Sequence, residues 1–207
     1  MDIKEYNKVK NMFYFHYCKY LQDKYGVPNG NYCSPNASIN KSIKRTKEGL
    51  FIHHIGEFKF SDLSKPDEIK ANPYEYQKAE NLVYCDYLEH LLLHIMIWLT
   101  FEQAWAVKVK NKKLCGIGGI VNHFVPTFND LYSGIYALPQ WAKPCVDKMI
   151  DKKDLYLMIL SNLTDTPHCE ELFPKLLLRS RQRDDEKCKQ IYSEIEALFK
   201  EQKRIDS

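Results

Sequence analysis

The pattern of apolar and polar positions predicts a mainly helical chain with a short β-rich segment before its middle. Apolar residues recur three and four positions apart in long segments, as on the buried face of an amphipathic helix. These segments are residues 3–25, 87–106, 142–162 and about 174 onward. Two short β-favouring runs, residues 50–55 and 81–85, predict strands. The fold class expected is therefore α+β, mainly helical with a small central ββα motif.

The helix predicted over residues 87–106 is expected to lie at the centre of the core. Asp86 occupies the position of an N-cap and Glu89 lies three residues later, which is the pattern of a capping box. Apolar residues nearly encircle the helix over residues 91–99, so no face of it suits water. Because this helix directly follows the second strand, the two strands and the helix predict a compact ββα unit.

Loops and turns are expected where glycine and proline accumulate, over residues 26–48 and 56–80. Gly116, Gly118 and Gly119 are not followed by the Lys-Ser or Lys-Thr of a phosphate-binding loop, so we interpret them as a flexible turn. No clean linker or repeat divides the chain. We therefore expect one compact domain over residues 1–207. Its parts are an N-terminal helix and basic loop (1–49), a core (50–98) and a mostly helical C-terminal extension (107–207).

Composition and charge restrict the class of protein only moderately. The net charge is +3, which is too weak by itself to indicate a nucleic-acid partner. Seven cysteines are scattered without a C-x-x-C pair, so reduced thiols are expected rather than a disulfide framework or a cysteine zinc site. The N-terminus lacks the apolar core of a signal peptide. The longest apolar run is too short to span a bilayer, which needs about 20 residues. These features predict a cytoplasmic protein with no membrane partner.

Four histidines occupy positions that suggest chemistry. His90 and His94 are four residues apart, so both imidazoles lie on one face of the predicted helix and could bind one metal ion. His53 and His54 are adjacent at the end of the first predicted strand. A pair spaced like His90 and His94 is by itself a weak signal, since histidines also pack in cores. Burying four imidazoles without partners, however, would cost about 1–3 kcal/mol each. His16 and His123 lack such partners in the sequence, and we interpret them as structural.

Asn81 at the start of the second strand makes the pattern more specific. The order His-His, then Asn, then His-x3-His resembles the HNH family of nucleases, also called the ββα-metal or His-Me finger family. The segment NLVYCDYLEHLLLH is similar to the phage and mobile-element homing-type members, which suggests a phage, restriction or defence setting. The resemblance covers roughly residues 50–98. The connection between His54 and Asn81 is longer than in compact members.

The resemblance implies a role for each residue. His53, His90 and His94 would bind a divalent metal ion, His54 would be the general base for the attacking water, and Asn81 would brace the loop and orient His54. The implied reaction is hydrolysis of a DNA phosphodiester to a 5′-phosphate and a 3′-hydroxyl. Imidazole ligands suit Zn²⁺, Ni²⁺, Co²⁺ and Mn²⁺, and Mg²⁺ stays open because many members bind it. Glu57 could contact the metal or one of the histidines that bind it. Alternatively, it is an ordinary surface carboxylate.

Two basic clusters flank the predicted site and could contact the DNA backbone. They are Lys41, Lys44, Arg45 and Lys47 before the histidine pair, and Arg179, Arg181 and Arg183 at the start of the last helix. Either cluster could instead be an ordinary solvated surface. The sequence does not distinguish DNA from RNA. A homodimer would allow two centres to cut both strands.

Three hypotheses follow from the sequence. The first is a metal-dependent HNH endonuclease. The second is a non-catalytic module in which a metal stabilises the fold and the chain binds nucleic acid or protein, such as an inhibitor or regulator of a mobile-element system. The third is a helical protein whose histidines merely pack, which predicts that the purified protein contains no metal.

Overall fold

The protein has a two-stranded antiparallel sheet surrounded by helices. The structure is a computed structural model and describes residues 1–102, 115–135, 142–164 and 177–205. Strand β1 is Phe51–His54 and strand β2 is Leu82–Cys85. The α-helices of the described residues are α1 (Ile3–Val9), α2 (Tyr14–Tyr25), α3 (Pro66–Ala71), α4 (Tyr87–Ile97), α5 (Ile117–Gly119), α6 (Val125–Tyr132), α7 (Lys143–Asp147), α8 (Lys153–Leu160) and α9 (Lys189–Ile205). The predicted α+β class, mainly helical with a small sheet, is confirmed.

The sheet fixes which way each histidine of the pair points. His53 lies opposite Val83 and His54 lies opposite Leu82 in the antiparallel register. Neighbouring residues of a strand point to opposite faces, so the two imidazoles lie on opposite sides of the sheet. After His54 the chain turns at once into a 3₁₀ turn, Ile55–Phe58, which carries Glu57.

Helix α4 is the central element of the core, as predicted. The capping box is present: Asp86 accepts a hydrogen bond from the Glu89 backbone N–H at 2.8 Å, and the Glu89 carboxylate accepts one from the Asp86 N–H at 2.6 Å. The helix packs against α2, α5, α8 and both strands. It ends at Ile97 and continues as a π-helical turn, Trp98–Glu102. The predicted continuation over residues 103–106 lies outside the described residues.

The prediction of a single helix over residues 3–25 is wrong. The chain leaves α1 at Lys10, and Phe13 adopts an extended conformation as the N-cap of α2. The break resets the helical phase, so the buried face of α2 differs from the face predicted by one continuous repeat. His16 is consequently exposed to solvent and is not a packed core histidine.

The C-terminal helix also begins later than predicted. The described helix starts at Lys189, and residues 178–188 before it are bends, turns and irregular backbone. Residues 174–176, where the prediction began, lie outside the described residues. Arg183 lies within these turns in the left-handed region, with φ +57°. The three arginines therefore lie on an irregular segment before the helix. The predicted helices near 142–162 are confirmed as α7 and α8.

Two further predictions concern cysteines and membranes. The six cysteines of the described ranges are free thiols, and five of them are buried. Among the described helices, none has the length and apolar character required to cross a bilayer.

Candidate metal centre

Three histidines and one glutamate converge beside the sheet. His53, Glu57, His90 and His94 each direct one nitrogen or oxygen into a space where these donor atoms lie within 4.8 Å of one another. Strand β1 supplies His53, the turn after it supplies Glu57, and α4 supplies the histidine pair. The structure therefore brings together all three predicted metal ligands and adds a carboxylate.

The distances between these donor atoms match those around a small metal ion. His53 Nδ1 lies 3.1 Å from His90 Nε2 and 3.7 Å from Glu57 Oε2. His94 Nε2 lies 3.3 Å from Glu57 Oε2. A tetrahedral site with ligands at 2.0–2.1 Å would separate neighbouring donor atoms by about 3.3 Å. The donor set thus suits a divalent metal in its chemistry, and these three separations are close to the tetrahedral spacing.

Hydrogen bonds outside the centre fix the orientation of two of the imidazoles. Tyr14 donates its hydroxyl proton to the Ile55 carbonyl at 2.9 Å, so the same hydroxyl oxygen must accept from His53 Nε2, 2.8 Å away. His94 Nδ1 lies 3.3 Å from the Gly116 carbonyl, which can only accept. His53 therefore carries its proton on the outer nitrogen and presents a lone pair to the centre. His94 carries a proton on Nδ1, so a metal would bind at Nε2 in place of the proton that His94 shares with Glu57.

His90 completes a nearly equilateral triangle of imidazoles with His53 and His94, whose own ring centres are 5.3 Å apart. Its ring centre is 5.0 Å from that of His53 and 5.1 Å from that of His94, and Phe124 packs edge-on against it at 4.8 Å. Its outer nitrogen, Nδ1, is buried and has no hydrogen-bond partner among the described residues. His53 Nδ1 has no proton, so in the metal-free protein His90 Nε2 donates to it at 3.1 Å. A cation between the two nitrogens would take the place of this proton.

Burial holds the centre in the protonation state that a metal requires. It lowers the pKa of His53 to about 3 and that of His90 well below its usual range. Burial alone would raise the pKa of Glu57, but the hydrogen bond with His94 and the neighbouring imidazoles lower it to about 2. At neutral pH, His53 and His90 are therefore neutral ligands and Glu57 is an anion, as metal binding requires.

The centre opens on one side into a cavity of about 680 Å³. Glu57, His90 and His94 form part of its wall, and Lys65 and His123 also line it. A cavity of this size could admit a phosphate group and a water molecule beside the centre. Whether the metal keeps a free coordination position depends on Glu57, which would be the fourth protein ligand.

His54 lies on the other side of strand β1, away from this cavity. It is fully buried, and Tyr32 packs edge-on against its ring at 4.4 Å. Its Nε2 is 3.1 Å from Gln77 Oε1, while the Gln77 amide nitrogen donates to the Leu63 carbonyl. His54 Nε2 is therefore the donor, which leaves Nδ1 unprotonated and without a partner among the described residues. Burial lowers the pKa of His54, so the ring is neutral and its Nδ1 is a weaker base than that of an exposed imidazole.

Among the described residues, Asn81 makes no hydrogen bond to His54. Its amide nitrogen donates to the Glu75 carbonyl at 2.8 Å, within the 3₁₀ turn Tyr74–Gln77. That turn carries Gln77, the hydrogen-bond partner of His54. Asn81 thus braces the segment that orients His54 through one intermediate residue, and a direct effect on the imidazole stays a prediction.

The two predicted basic clusters differ in their surroundings. Lys41, Lys44 and Lys47 are exposed, whereas Arg45 pairs with Glu48 at 2.5 Å and donates to the Tyr25 carbonyl at 2.6 Å. Arg45 therefore has a structural role in addition to any contact with nucleic acid. Arg179, Arg181 and Arg183 line a second cavity.

Sequence reasoning missed Tyr14 and Gln77, which orient the two adjacent histidines, and left Glu57 undecided. Tyr14 is 39 positions from His53 and Gln77 is 23 positions from His54, so no local spacing signals either pair. Glu57 follows His53 by four residues, and a turn directly after the strand was the only available signal.

Comparison with protein-family models, curated proteins and solved structures finds no match to this chain.

Proposed function

We propose that this protein is a metal-dependent endonuclease of the HNH type, which hydrolyses phosphodiester bonds in DNA. The observation that carries the proposal is the convergence of His53, Glu57, His90 and His94 on one point beside an antiparallel strand pair and its following helix. The order of these elements and the His-His, Asn, His-x3-His pattern resemble that family. No other cluster in the described residues combines metal-ligand chemistry with an adjoining cavity.

A bound divalent metal would supply positive charge for a phosphate oxygen and for the developing negative charge on the leaving 3′-oxygen. His53, His90 and His94 would hold it, with Glu57 as a fourth ligand or a displaceable one. Three imidazoles and a carboxylate suit Zn²⁺, Mn²⁺ or Ni²⁺ better than Mg²⁺, which prefers oxygen ligands.

The general base in this proposal is His54. Gln77 accepts the proton on Nε2, so Nδ1 is ready to take a proton from water. The ring is buried beneath Tyr32 and lies on the face of β1 away from the cavity. The base could reach a phosphate at the metal only if the end of β1 and the segment that carries Tyr32 both rearrange when nucleic acid binds. If His54 proves dispensable, His123 on the wall of the cavity is the next base to test.

A second function is favoured by one specific observation, the presence of four protein donors. Four ligands fill a tetrahedral site, which is typical of structural rather than catalytic zinc. In that case the metal stabilises the ββα unit, and the chain is a non-catalytic module that binds nucleic acid or protein. Such a module would bind metal tightly and would cut no substrate with any metal.

The experiment that separates these functions uses untagged, metal-free protein supplied with Mg²⁺, Mn²⁺, Zn²⁺ or Ni²⁺. An endonuclease should nick or cut plasmid DNA, and a parallel assay with RNA identifies the preferred substrate. His54→Ala should abolish cutting and retain the metal, whereas the double variant His90→Ala/His94→Ala should lose both. His16→Ala is the matched control, since His16 is exposed and distant in sequence from the centre. Metal binding without cutting would support the structural module and contradict the nuclease.

The setting of this activity follows from the same proposal. The free thiols of the described cysteines support a reducing, cytoplasmic location. One centre would cut one strand, so a double-strand break would require a second cut or a homodimer.

A further inference from the structure

Three arginines surround a second cavity, of about 440 Å³. Arg179, Arg181 and Arg183 alternate along the turns before α9, and all three line this cavity. The backbone bends at residues 181 and 182 and is left-handed at Arg183, so the curvature of the segment, and not a regular repeat, brings the three arginines to one cavity.

Two buried side chains of α6 hold this segment in place. Asn129 donates to the Arg179 carbonyl at 2.8 Å, and Asp130 accepts a hydrogen bond from the Gln182 N–H at 2.9 Å and another from the Ser180 hydroxyl. Asn129 and Asp130 are both fully buried. The segment is therefore anchored to the core by its backbone, and its arginine side chains are left to face the cavity.

The charges of the three arginines are not neutralised within the described residues. No described carboxylate lies within 4.0 Å of their guanidinium groups, and Arg181 donates instead to the neutral hydroxyl of Thr127 at 3.1 Å. The carboxylate at the edge of the cavity, Asp185, accepts a hydrogen bond from Tyr192 at 2.7 Å.

The lysines that follow along the chain are arranged differently. Lys187 pairs with Asp184 at 3.1 Å, and Lys189 pairs with Glu186 at 2.6 Å. Positive charge is thus concentrated at the cavity and compensated just beyond it. The contrast points to an anionic ligand for the arginines.

This cavity adjoins the one at the metal centre. Asn122 lines both, on the π-helical turn Ile120–Phe124. Arg181 is close enough to His123, in the wall of the first cavity, to add to the lowering of the His123 pKa that burial causes. A strand with one phosphate at the metal centre would therefore pass Asn122 and reach the arginines.

We propose that Arg179, Arg181 and Arg183 form a phosphate-binding subsite for the backbone of the nucleic-acid strand that is cut at the metal centre. The proposal rests on the function proposed above. A guanidinium group can donate two parallel hydrogen bonds to a phosphate, so three of them would fix the strand at neighbouring phosphates and set its register. The contacts are to the backbone and carry no sequence preference by themselves.

The test measures binding in EDTA, so that no cutting occurs and metal is not required. Labelled DNA is titrated with the parent protein and with Arg179→Gln/Arg181→Gln/Arg183→Gln, at several salt concentrations. The matched control, Lys187→Gln/Lys189→Gln/Lys200→Gln, removes the same three positive charges from lysines that already pair with carboxylates. The double variant Arg179→Gln/Arg183→Gln keeps the Arg181 bond to Thr127 in case the triple variant does not fold.

We expect the arginine triple variant to bind DNA about tenfold or more weakly. The slope of log K against log salt should fall by about 2–3, since each phosphate contact contributes about 0.9. The double variant should show about two thirds of this fall in slope. The lysine control should bind DNA as the parent does. Equal weakening by the arginine and lysine variants would overturn the subsite, as would an unchanged DNA affinity in the arginine variants.

Two further measurements separate this proposal from the proposed function and from a site for free phosphate. Loss of DNA affinity in the arginine variants, with no cutting by the parent under any metal, would retain the subsite and reject the nuclease. If the parent cuts DNA and the arginine variants bind it normally, the nuclease is retained and the subsite is rejected. Calorimetry with inorganic phosphate tests the other source: phosphate binding that the arginine changes abolish, at unchanged DNA affinity, would assign the cavity to a free anion and overturn the nucleic-acid subsite.

Discussion

The imidazole of His94 lies directly against the backbone of Gly119. A Cβ atom at position 119 would stand 2.5 Å from His94 Nδ1 and 2.6 Å from its Cε1 atom, closer than real Cβ contacts. Gly116 is equally constrained, with φ +69° and a Cβ position 2.8 Å from the His94 carbonyl oxygen. The glycine-rich turn is therefore packed on the metal centre, and its interpretation as merely flexible misses this contact.

Gly119→Ala should displace the His94 ring and weaken metal binding. A metal site tolerates little misplacement of a ligand, so we expect a loss of affinity of about 10–100-fold, as for other groups that orient ligands. Gly118→Ala is the matched control, because a Cβ there meets no atom within 4 Å. Zinc or nickel titration of the two variants measures the difference. Equal affinities would show that the ring can shift without consequence for the metal.

Tyr14→Phe should weaken the metal site without removing a ligand. The hydroxyl fixes the proton of His53 on Nε2, and its loss frees the imidazole to adopt the tautomer that carries a proton towards the metal. We expect metal affinity to fall about tenfold or more. Calorimetric titration of metal into the protein measures it.

Tyr6→Phe provides the control for Tyr14→Phe. Tyr6 is also buried, and its hydroxyl donates to the Met158 carbonyl at 2.9 Å. Its removal should cost a comparable free energy of unfolding, about 1 kcal/mol, and leave metal affinity unchanged. A similar loss of metal affinity in both variants would mean that general destabilisation, rather than the His53 tautomer, controls binding.

The convergence of His90 and His94 could be predicted because it follows a local rule. The two residues lie one turn apart on a helix whose start is marked by a capping box. The break between α1 and α2 was missed because apolar residues continue at helical spacing across it, with Met12 and Phe13 in register. Helix propensity and the hydrophobic repeat do not reveal a change of backbone direction between two helices that share the same repeat.

The surroundings of the ligands could not be predicted because they depend on tertiary contacts. Alternation along a strand was used to give His53 and His54 different roles, and the structure does place them on different faces. The sequence does not show which face of the strand adjoins the cavity. Nor does it show that Tyr32 and Gln77 enclose His54, because both belong to loops that only the fold brings next to the strand. The same holds for Asn129 and Asp130, whose anchoring of the arginine segment has no local signature.

Gln77→Met should separate the orientation of His54 from the binding of metal. The substitution keeps the length of the side chain but removes the acceptor for His54 Nε2, so Nδ1 is no longer held as the unprotonated nitrogen. If His54 is the general base, kcat for DNA cutting should fall by about 10²-fold or more, while metal affinity stays at the parent value. Cutting rates at saturating DNA, together with a metal titration, measure both quantities.

The control for Gln77→Met addresses its effect on folding. The variant also leaves the Leu63 carbonyl without its donor, and the free energy of unfolding should fall by about 1–3 kcal/mol. Asn72→Met removes a comparable amide that donates to the Glu68 carbonyl at 2.8 Å, away from the histidines, and should leave kcat unchanged. An unaltered kcat in Gln77→Met would show that neither Gln77 nor the His54 tautomer that it fixes is needed for cutting.

The metal-free protein should lose stability as the pH falls from about 6.5 towards 3. Burial lowers the pKa of His53 to about 3 and also lowers the pKa values of His54 and His90, whereas the same histidines in the unfolded chain titrate near 6.5. In this window the unfolded chain binds more protons than the folded one, so acid favours unfolding. Each such histidine contributes a slope of at most about 1.4 kcal/mol per pH unit, reached where it is protonated in the unfolded chain and neutral in the folded one. Glu57, with its pKa lowered to about 2, adds a loss of the same sign as the pH falls below 4.5.

Urea unfolding in EDTA at a series of pH values between 7.5 and 4.5 measures this slope. His54→Phe removes one buried imidazole, retains an aromatic ring beside Tyr32, and should flatten the slope in the part of this range just below pH 6.5. His16→Phe should leave it unchanged, since His16 is exposed. A stability that stays constant down to about pH 4.5 and declines only below it would mean that carboxylates alone respond to acid. The histidines would then not be held neutral in the folded protein, and their readiness to bind a metal at neutral pH would lose its physical basis.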